Sequence, residues 1–71
     1  MRNGDYDEAI RHCDEAIKID PTFASAYTTR GRVYENNGDC DEAILNYEMA
    51  LELDPNDSFA SLRLSACNRR R

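Results

Sequence analysis

The sequence predicts an all-α protein built from repeated helix pairs, and three observations lead to that prediction. One segment recurs after 34 residues, its apolar side chains follow a helical period, and each copy carries start and stop signals for a helix. The chain has 71 residues, of which 41% are hydrophobic and 32% are charged. A chain of this length forms one small domain at most, so we expect marginal stability unless it is stacked or assembled.

The repeat consists of two segments, residues 4–21 and 38–55. Nine of their 18 aligned positions are identical, and two more exchange isoleucine for leucine, which chance does not produce. Each segment therefore reads as the same kind of helix. The apolar positions are Ala9, Ile10, Cys13, Ala16 and Ile17 in the first copy, and Ala43, Ile44, Tyr47, Ala50 and Leu51 in the second.

Helix start and stop signals divide the chain into four helices. An aspartate opens each copy with a glutamate three residues later, as in a capping box, and a proline closes it. The residue after each proline is expected to cap the next helix, and Gly38 supplies a left-handed turn. The predicted capping residues are Asp5, Thr22, Asp39 and Asn56. The predicted helices cover about residues 5–19, 23–36, 39–53 and 57–69, and their short connections make neighbours antiparallel.

Residues 24–57 resemble the tetratricopeptide repeat. That family has an aromatic, a glycine and a tyrosine in the first helix of a repeat, then alanine, an aromatic and alanine in the second, and a closing proline. These positions are Tyr27, Gly31, Tyr34, Ala43, Tyr47, Ala50 and Pro55. Residues 4–21 resemble the second helix of a preceding repeat, with Cys13 in place of the aromatic. The resemblance implies one domain over residues 1–71, a right-handed superhelical stack of antiparallel helix pairs.

The chain departs from the family pattern at two places. Arg30 stands where the family usually has leucine, so we expect that position to be less buried or the arginine stem to lie along the surface. The last helix, residues 57–69, is polar where the middle repeat has tyrosine and glycine, which is typical of a C-terminal capping helix. Its polar residues are Ser61, Ser65 and Asn68, and we expect them to face solvent.

Catalysis and metal binding are not expected, and neither is a cofactor. His12 is the only histidine and aligns with Asn46, so we interpret it as a solvated surface residue. The cysteines, at positions 13, 40 and 67, are odd in number and widely spaced, unlike a disulfide framework or a zinc site. We expect Cys13 to pack as a small hydrophobic residue and Cys40 to be half exposed. Thiols of this kind favour a reducing, cytoplasmic location.

Composition also excludes two classes of partner. The net charge of −5 argues against nucleic-acid binding, which needs a basic surface. The longest apolar runs have two or three residues, too few to cross a membrane. The family resemblance, by contrast, implies a protein or peptide as the partner.

Charge is distributed unevenly between the two types of helix. Residues 4–21 and 38–55 sum to −4 and −6, whereas residues 22–37 and 56–71 sum to +1 and +3. The resemblance implies that the latter pair lines a concave groove that holds a partner peptide. A mildly basic groove suits an acidic peptide or a C-terminal carboxylate. Alternatively, the final three arginines only complement the dipole of the last helix, which would leave the groove nearly neutral.

The resemblance assigns groove positions on helices 23–36 and 57–69. Some family members grip a chaperone's C-terminal carboxylate with a clamp of lysines, asparagines and an arginine. Arg63 matches one clamp position, but Thr29 and Phe59 replace an asparagine and a lysine, so we do not expect chaperone-tail binding. The expected groove residues are Ser25, Thr28, Thr29, Arg32, Asn36, Phe59, Leu62, Arg63 and Arg69.

The sequence therefore supports two hypotheses for function. The first is a non-catalytic scaffold or adaptor that binds a partner in the groove. The second is a self-assembling building block. This sequence includes no first-type partner for helix 5–19, so we expect its apolar surface to be covered either by upstream sequence or by another copy of the chain. The residues expected to drive that self-association are Ile10, Cys13 and Ile17.

Overall fold

The computed structural model describes residues 3–70, with side chains from residue 5 onward. Over that range the chain forms four helices and no strand: α1 (Asn3–Ile19), α2 (Ala24–Asn36), α3 (Cys40–Leu53) and α4 (Ser58–Arg70). The helices match the predicted ones in number and order, and their ends differ by at most two residues. The predicted all-α fold class is confirmed.

The turn between α2 and α3 forms as the sequence predicts. Gly38 has a φ of +84°, in the left-handed region that glycine adopts without strain. Asp39 is the N-cap of α3, and its carboxylate accepts a hydrogen bond from the Glu42 N–H at 3.2 Å. The reciprocal half of the capping box is absent, because the Asp39 N–H already donates to the Tyr34 carbonyl at 2.9 Å.

The predicted caps Thr22 and Asn56 are wrong, and the aspartate before each proline explains why. The Asp20 carboxylate accepts from both the N–H and the hydroxyl of Thr22, at 3.1 and 2.7 Å. The Asp54 carboxylate likewise accepts from the Asn56 N–H at 3.2 Å. Aspartates commonly hold the N–H two residues ahead in such turns. Each turn therefore extends one residue further before the next helix starts.

Other residues stand at the observed helix starts. Phe23 is the N-cap of α2 and makes no side-chain capping bond. Asp57, which the sequence reading placed inside the last helix, precedes α4, and its Oδ1 accepts from the Ala60 N–H at 2.9 Å. The prediction that Asp5 caps the first helix is also wrong, because α1 begins at Asn3 and Asp5 lies in its first turn.

The core is centred on α3, which packs against both α2 and α4. It approaches α2 closely at Gly31, where a Cβ atom would lie 2.7 Å from Cε1 of Tyr47. Only glycine leaves room for that ring, and Tyr47 is fully buried. At this crossing a residue without a side chain thus accommodates a large aromatic ring. The core consists of Ala43, Ile44, Tyr47, Ala50, Ala60 and Cys67.

The first helix is less enclosed than the third. Among the described residues, α1 packs against α2 alone. Cys13 is the buried side chain of α1, as predicted for a small hydrophobic residue, whereas Ile10 and Ile17 are half-buried. The Tyr6 hydroxyl donates to the Asn36 carbonyl at 2.9 Å, joining the start of α1 to the end of α2 as an antiparallel pair requires.

Arg30 ties three helices together. Its Nε donates to Oδ1 of Asn46 at 2.6 Å, and its Nη1 pairs with Oδ1 of Asp14 at 2.8 Å. The guanidinium also lies 5.4 Å from the centroid of the Tyr27 ring. The arginine is half-buried, in line with the expectation for this position, and its charge is satisfied between α1 and α3.

Candidate protein-interaction groove

A depression of about 220 Å³ lies between α2 and α4. These two helices run side by side, and the Thr28 hydroxyl fixes one end by donating to Oδ2 of Asp57 at 2.6 Å. The depression brings together four of the predicted groove residues and one that was not predicted. We call it the polar groove, and its lining residues are Arg32, Glu35, Asn36, Phe59 and Arg63.

Glu35 is the residue that sequence reasoning missed. Its side chain is only 8% exposed, and its carboxylate accepts from the Tyr47 hydroxyl at 2.8 Å. Arg63 donates to both carboxylate oxygens, and Nη2 of Arg70 pairs with one of them at 3.0 Å. One signal was available in the sequence: Glu35 follows Gly31 by four residues and so shares the helix face that meets Tyr47.

These contacts set the ionisation of the groove floor. The hydrogen bond from Arg63 is the main cause that lowers the pKa of Glu35, against the opposing effect of burial. Burial, followed by the bond to Glu35, raises the pKa of Tyr47 well above its ordinary value. At neutral pH Glu35 is therefore an anion and Tyr47 a neutral donor. The charge of Arg63 is consequently compensated within the molecule.

Arg32 differs from Arg63 in having no such compensation. In the described part of the chain, no carboxylate forms an ion pair with Arg32, which is exposed. Its guanidinium lies 5.2 Å from the centroid of the Phe59 ring. Phe59 is 42% exposed and meets Tyr47 edge-on, with ring centroids 6.5 Å apart at 71°. The groove thus presents a cation and a partly exposed ring to solvent. The cation lies against the ring, and the ring packs against the buried Tyr47.

Comparison with known families agrees with this architecture. A family model described as TPR repeat matches residues 1–38, and one described as Tetratricopeptide repeat matches residues 24–57. The chain belongs to the tetratricopeptide-repeat (TPR) family. TPR repeats generally mediate protein–protein interaction and are generally non-catalytic. No curated protein matches the sequence.

The remaining predicted groove residues of this TPR chain occupy other surroundings. Thr28 is engaged with Asp57 at the end of the polar groove. Ser25 and Thr29 line a second depression on the other side of α2. Leu62 and Arg69 are exposed on α4 and line neither depression. Their part in partner binding stays a prediction.

The second depression, of about 200 Å³, lies between α1 and α2 and has a mainly apolar lining. Burial raises the pKa of Cys13 at its base, so this thiol remains protonated at neutral pH. Phe23, 47% exposed, stands at its edge. We call this surface the apolar depression; its lining residues are His12, Cys13, Ala16, Phe23, Ser25, Ala26 and Thr29.

Two further properties bear on the function of this TPR domain. Within residues 3–70, no group of three or more histidine, cysteine or acidic side chains is arranged to hold a metal ion. None of the four described helices combines the length and apolar character needed to cross a membrane.

On α4, the side chains of Ser61, Ser65 and Asn68 are exposed, as expected. The interpretation of this helix as a cap stays a prediction.

Proposed function

We propose that this TPR domain is a non-catalytic scaffold or adaptor that binds a partner peptide in the polar groove, along α2 and α4. The observation that carries the proposal is the Arg32–Phe59 pair, a cation held 5.2 Å from an aromatic ring that is itself partly exposed. A partner carboxylate can pair with the guanidinium while an adjacent apolar side chain covers the ring. Aromatic and arginine side chains are the usual anchors of protein interfaces.

The charge distribution supports an acidic segment as the partner. The residues of the two groove helices and their flanks are net positive, whereas the other two segments are strongly negative. An acidic peptide is therefore attracted to one side of the domain and repelled from the other. The intramolecular pairing of Arg63 and Arg70 with Glu35 weakens this attraction, so Arg32 is the cation on which partner preference depends.

The proposal is tested with fluorescein-labelled peptides 12 residues long that differ in net charge and carry either a free or an amidated C-terminus. We expect fluorescence anisotropy to detect tighter binding of the acidic peptides, with affinity that falls as salt is raised. The Arg32→Ala variant should lose about 1–2 kcal/mol of that binding, as expected when a charge-assisted contact is removed. Arg11→Ala, at an exposed position on α1, is the matched control and should bind like the parent.

Two results would contradict the groove assignment. One is equal binding of acidic and basic peptides by the parent domain. The other is an equal loss of binding in the Arg32→Ala and Arg11→Ala variants, which would indicate a general effect of net charge. Circular dichroism of each variant verifies that it remains helical.

A second candidate function is self-assembly through the apolar depression. Cys13, Ala16 and Ala26 form an apolar surface between α1 and α2, with Phe23 at its edge. Burying each large apolar side chain is worth ~1.5–3 kcal/mol, which is appreciable beside the stability of so small a domain. A second copy of the chain is the partner under this hypothesis, with Ile10, Cys13 and Ile17 contributing to the contact.

Sedimentation at rising protein concentration tests the second candidate. We expect a dimer that is weakened by Phe23→Ser and by Ile10→Glu. Phe23 is half exposed, so its replacement should leave the fold intact. Leu62→Ser, at an exposed apolar residue of α4, is the matched control and should leave the dimer unchanged. A monomer at high concentration would contradict self-assembly, as would a dimer indifferent to Phe23→Ser.

A cytoplasmic location is part of the same proposal. All three cysteines are thiols in the structure, and such thiols persist where glutathione keeps the compartment reducing. Fluorescence microscopy of the tagged full-length protein in its native cells is the direct measurement, and secretion into the medium would contradict the proposal.

A further inference from the structure

Two of the three cysteines meet across the interface between α3 and α4. Cys40 is the first residue of α3 and Cys67 lies in the last turn of α4, so the antiparallel packing of these helices brings them together. Their Sγ atoms are 2.7 Å apart although 27 positions separate the residues in sequence. The spacing of the cysteines along the chain gave no sign of this pair.

The surroundings give the two sulfurs different accessibility. Cys67 is fully buried in the core, whereas Cys40 is half exposed, as the sequence analysis expected. Nη2 of Arg70 lies 3.0 Å from Sγ of Cys40 and 3.6 Å from Sγ of Cys67. A guanidinium at this distance stabilises a thiolate, which is the reactive form of cysteine. The pair therefore combines one accessible sulfur, one buried sulfur and a cation that contacts both.

We propose that Cys40 and Cys67 form a reversible dithiol–disulfide site that exchanges with small-molecule disulfides of the glutathione type and covalently joins α3 to α4. The order of events follows from accessibility. Cys40 meets the oxidant, because Cys67 cannot be reached from solvent. Cys67 then acts as the resolving thiol, since its Sγ is already adjacent to that of Cys40.

The chemistry proceeds by two thiol–disulfide exchanges. In the first, the Cys40 thiolate attacks one sulfur of the small disulfide, forming a mixed disulfide and releasing one small thiol. In the second, Sγ of Cys67 attacks Sγ of Cys40, forming the bond between them and releasing the second small thiol. The protein loses two electrons, which reduce the small disulfide, and the two thiol protons leave with the released thiols. Burial raises the pKa of Cys67, in keeping with its role as the later nucleophile.

The new bond would hold α4, which forms one side of the polar groove, against α3. Helix α4 carries Phe59 and Arg63, and its packing on α3 would no longer depend on non-covalent contacts alone. A link between positions 40 and 67 removes chain entropy from the unfolded state, and in a domain this small the melting temperature should rise by ~10 °C or more. The inference is independent of which partner the groove binds.

The test uses the unmodified chain. It is incubated with glutathione disulfide, blocked with N-ethylmaleimide under denaturing conditions and digested with trypsin. We expect mass spectrometry to find peptide 33–63 linked to peptide 64–69 through Cys40 and Cys67, while peptide 12–18 carries maleimide on Cys13. Dithiothreitol should restore both thiols. Recovery of Cys40 only as its glutathione adduct would overturn the proposal, and so would links that involve Cys13 or join two chains.

Three variants sharpen the result. In a Cys13→Ala background, oxidation should raise the melting temperature, and the further change Cys40→Ser should abolish that rise. Arg70→Gln should slow disulfide formation roughly three- to tenfold, because the guanidinium that contacts both sulfurs is removed. Arg69→Gln, one exposed residue earlier on α4, should react at the parental rate. Equal melting of oxidised and reduced protein would overturn the proposed bond, and equal rates for the two arginine variants would overturn the role of Arg70.

Discussion

Helices α1 and α3 carry nearly the same sequence motif but differ in how far it is buried. Ala43 and Ala50 of α3 are fully buried and Ile44 is almost so, whereas the equivalent residues of α1, 34 positions earlier, are half-buried. The contrast continues at the helix ends, where Ile19 is 84% exposed and Leu53 only 36%. Identical residue types at equivalent positions therefore contribute differently to stability.

The cause of this difference is the number of neighbouring helices. Helix α3 is covered by α2 on one side and α4 on the other, whereas among the described residues α1 contacts α2 alone. In a repeat stack each helix contacts only its neighbours, so the same motif is a core element in one place and a partly exposed surface in another. Substitutions at equivalent positions of α1 and α3 should measure this difference directly.

The largest effect is expected at the aromatic position of the repeat. Tyr47→Ala removes a fully buried ring that packs against Gly31, which should cost ~3–5 kcal/mol and could unfold so small a domain. The equivalent change in α1, Cys13→Ala, removes one sulfur atom at the base of the apolar depression and should cost about 1 kcal/mol or less. Urea denaturation followed by circular dichroism measures both. Equal losses would show that α1 and α3 are covered alike.

A smaller effect is expected at the first alanine of the repeat. Ala43→Leu overpacks a close helix crossing and should destabilise the fold by ~1–3 kcal/mol or more. Ala9→Leu places the same side chain where α1 is half-buried, and we expect a change within about 0.5 kcal/mol. Thermal melts of the two variants beside the parent test this pair. An unchanged melt for Ala43→Leu would mean that the helices do not approach closely there.

The smallest effect concerns the groove floor and depends on pH. Glu35→Gln removes the anion that Arg63, Arg70 and Tyr47 share, and should reduce the free energy of unfolding by ~1–3 kcal/mol at pH 7. Glu52→Gln, at an exposed position of α3, is the matched control and should have little effect. Urea denaturation at pH 7 and pH 3 measures the difference.

The direction of the pH dependence follows from the lowered pKa of Glu35. Folding favours the ionised form, so the contribution to stability is complete above the pKa of an unfolded glutamate, roughly 4.3. It disappears as the pH falls through the lower pKa of the folded state. The stability gap between the parent and Glu35→Gln should therefore shrink in acid. A gap that stayed constant down to pH 3 would show that Glu35 is not held as an anion.

The sequence by itself determined the helical fold and the pairing of its helices. The 34-residue period, the closing prolines and Gly38 are local signals, because each depends on backbone preferences or on residues within one or two helical turns. The same reasoning found Asp39 as a cap. It failed at Thr22 and Asn56, because the aspartates two residues earlier hold the N–H groups of these residues in the turn, and the next helix starts one residue later than predicted.

Tertiary structure decided what the surfaces can do. Glu35 is the floor of the polar groove because Tyr47, Arg63 and Arg70 converge on it from α3 and α4. Cys40 and Cys67 form a pair because antiparallel packing brings together residues far apart in sequence. The cysteine pair has no local signature, and the spacing of Glu35 from Gly31 indicates only which helix face it shares, since both arrangements depend on where two helices cross. The repeat specifies which side chains a helix presents, and the neighbouring helices decide which of them are buried, paired or left exposed.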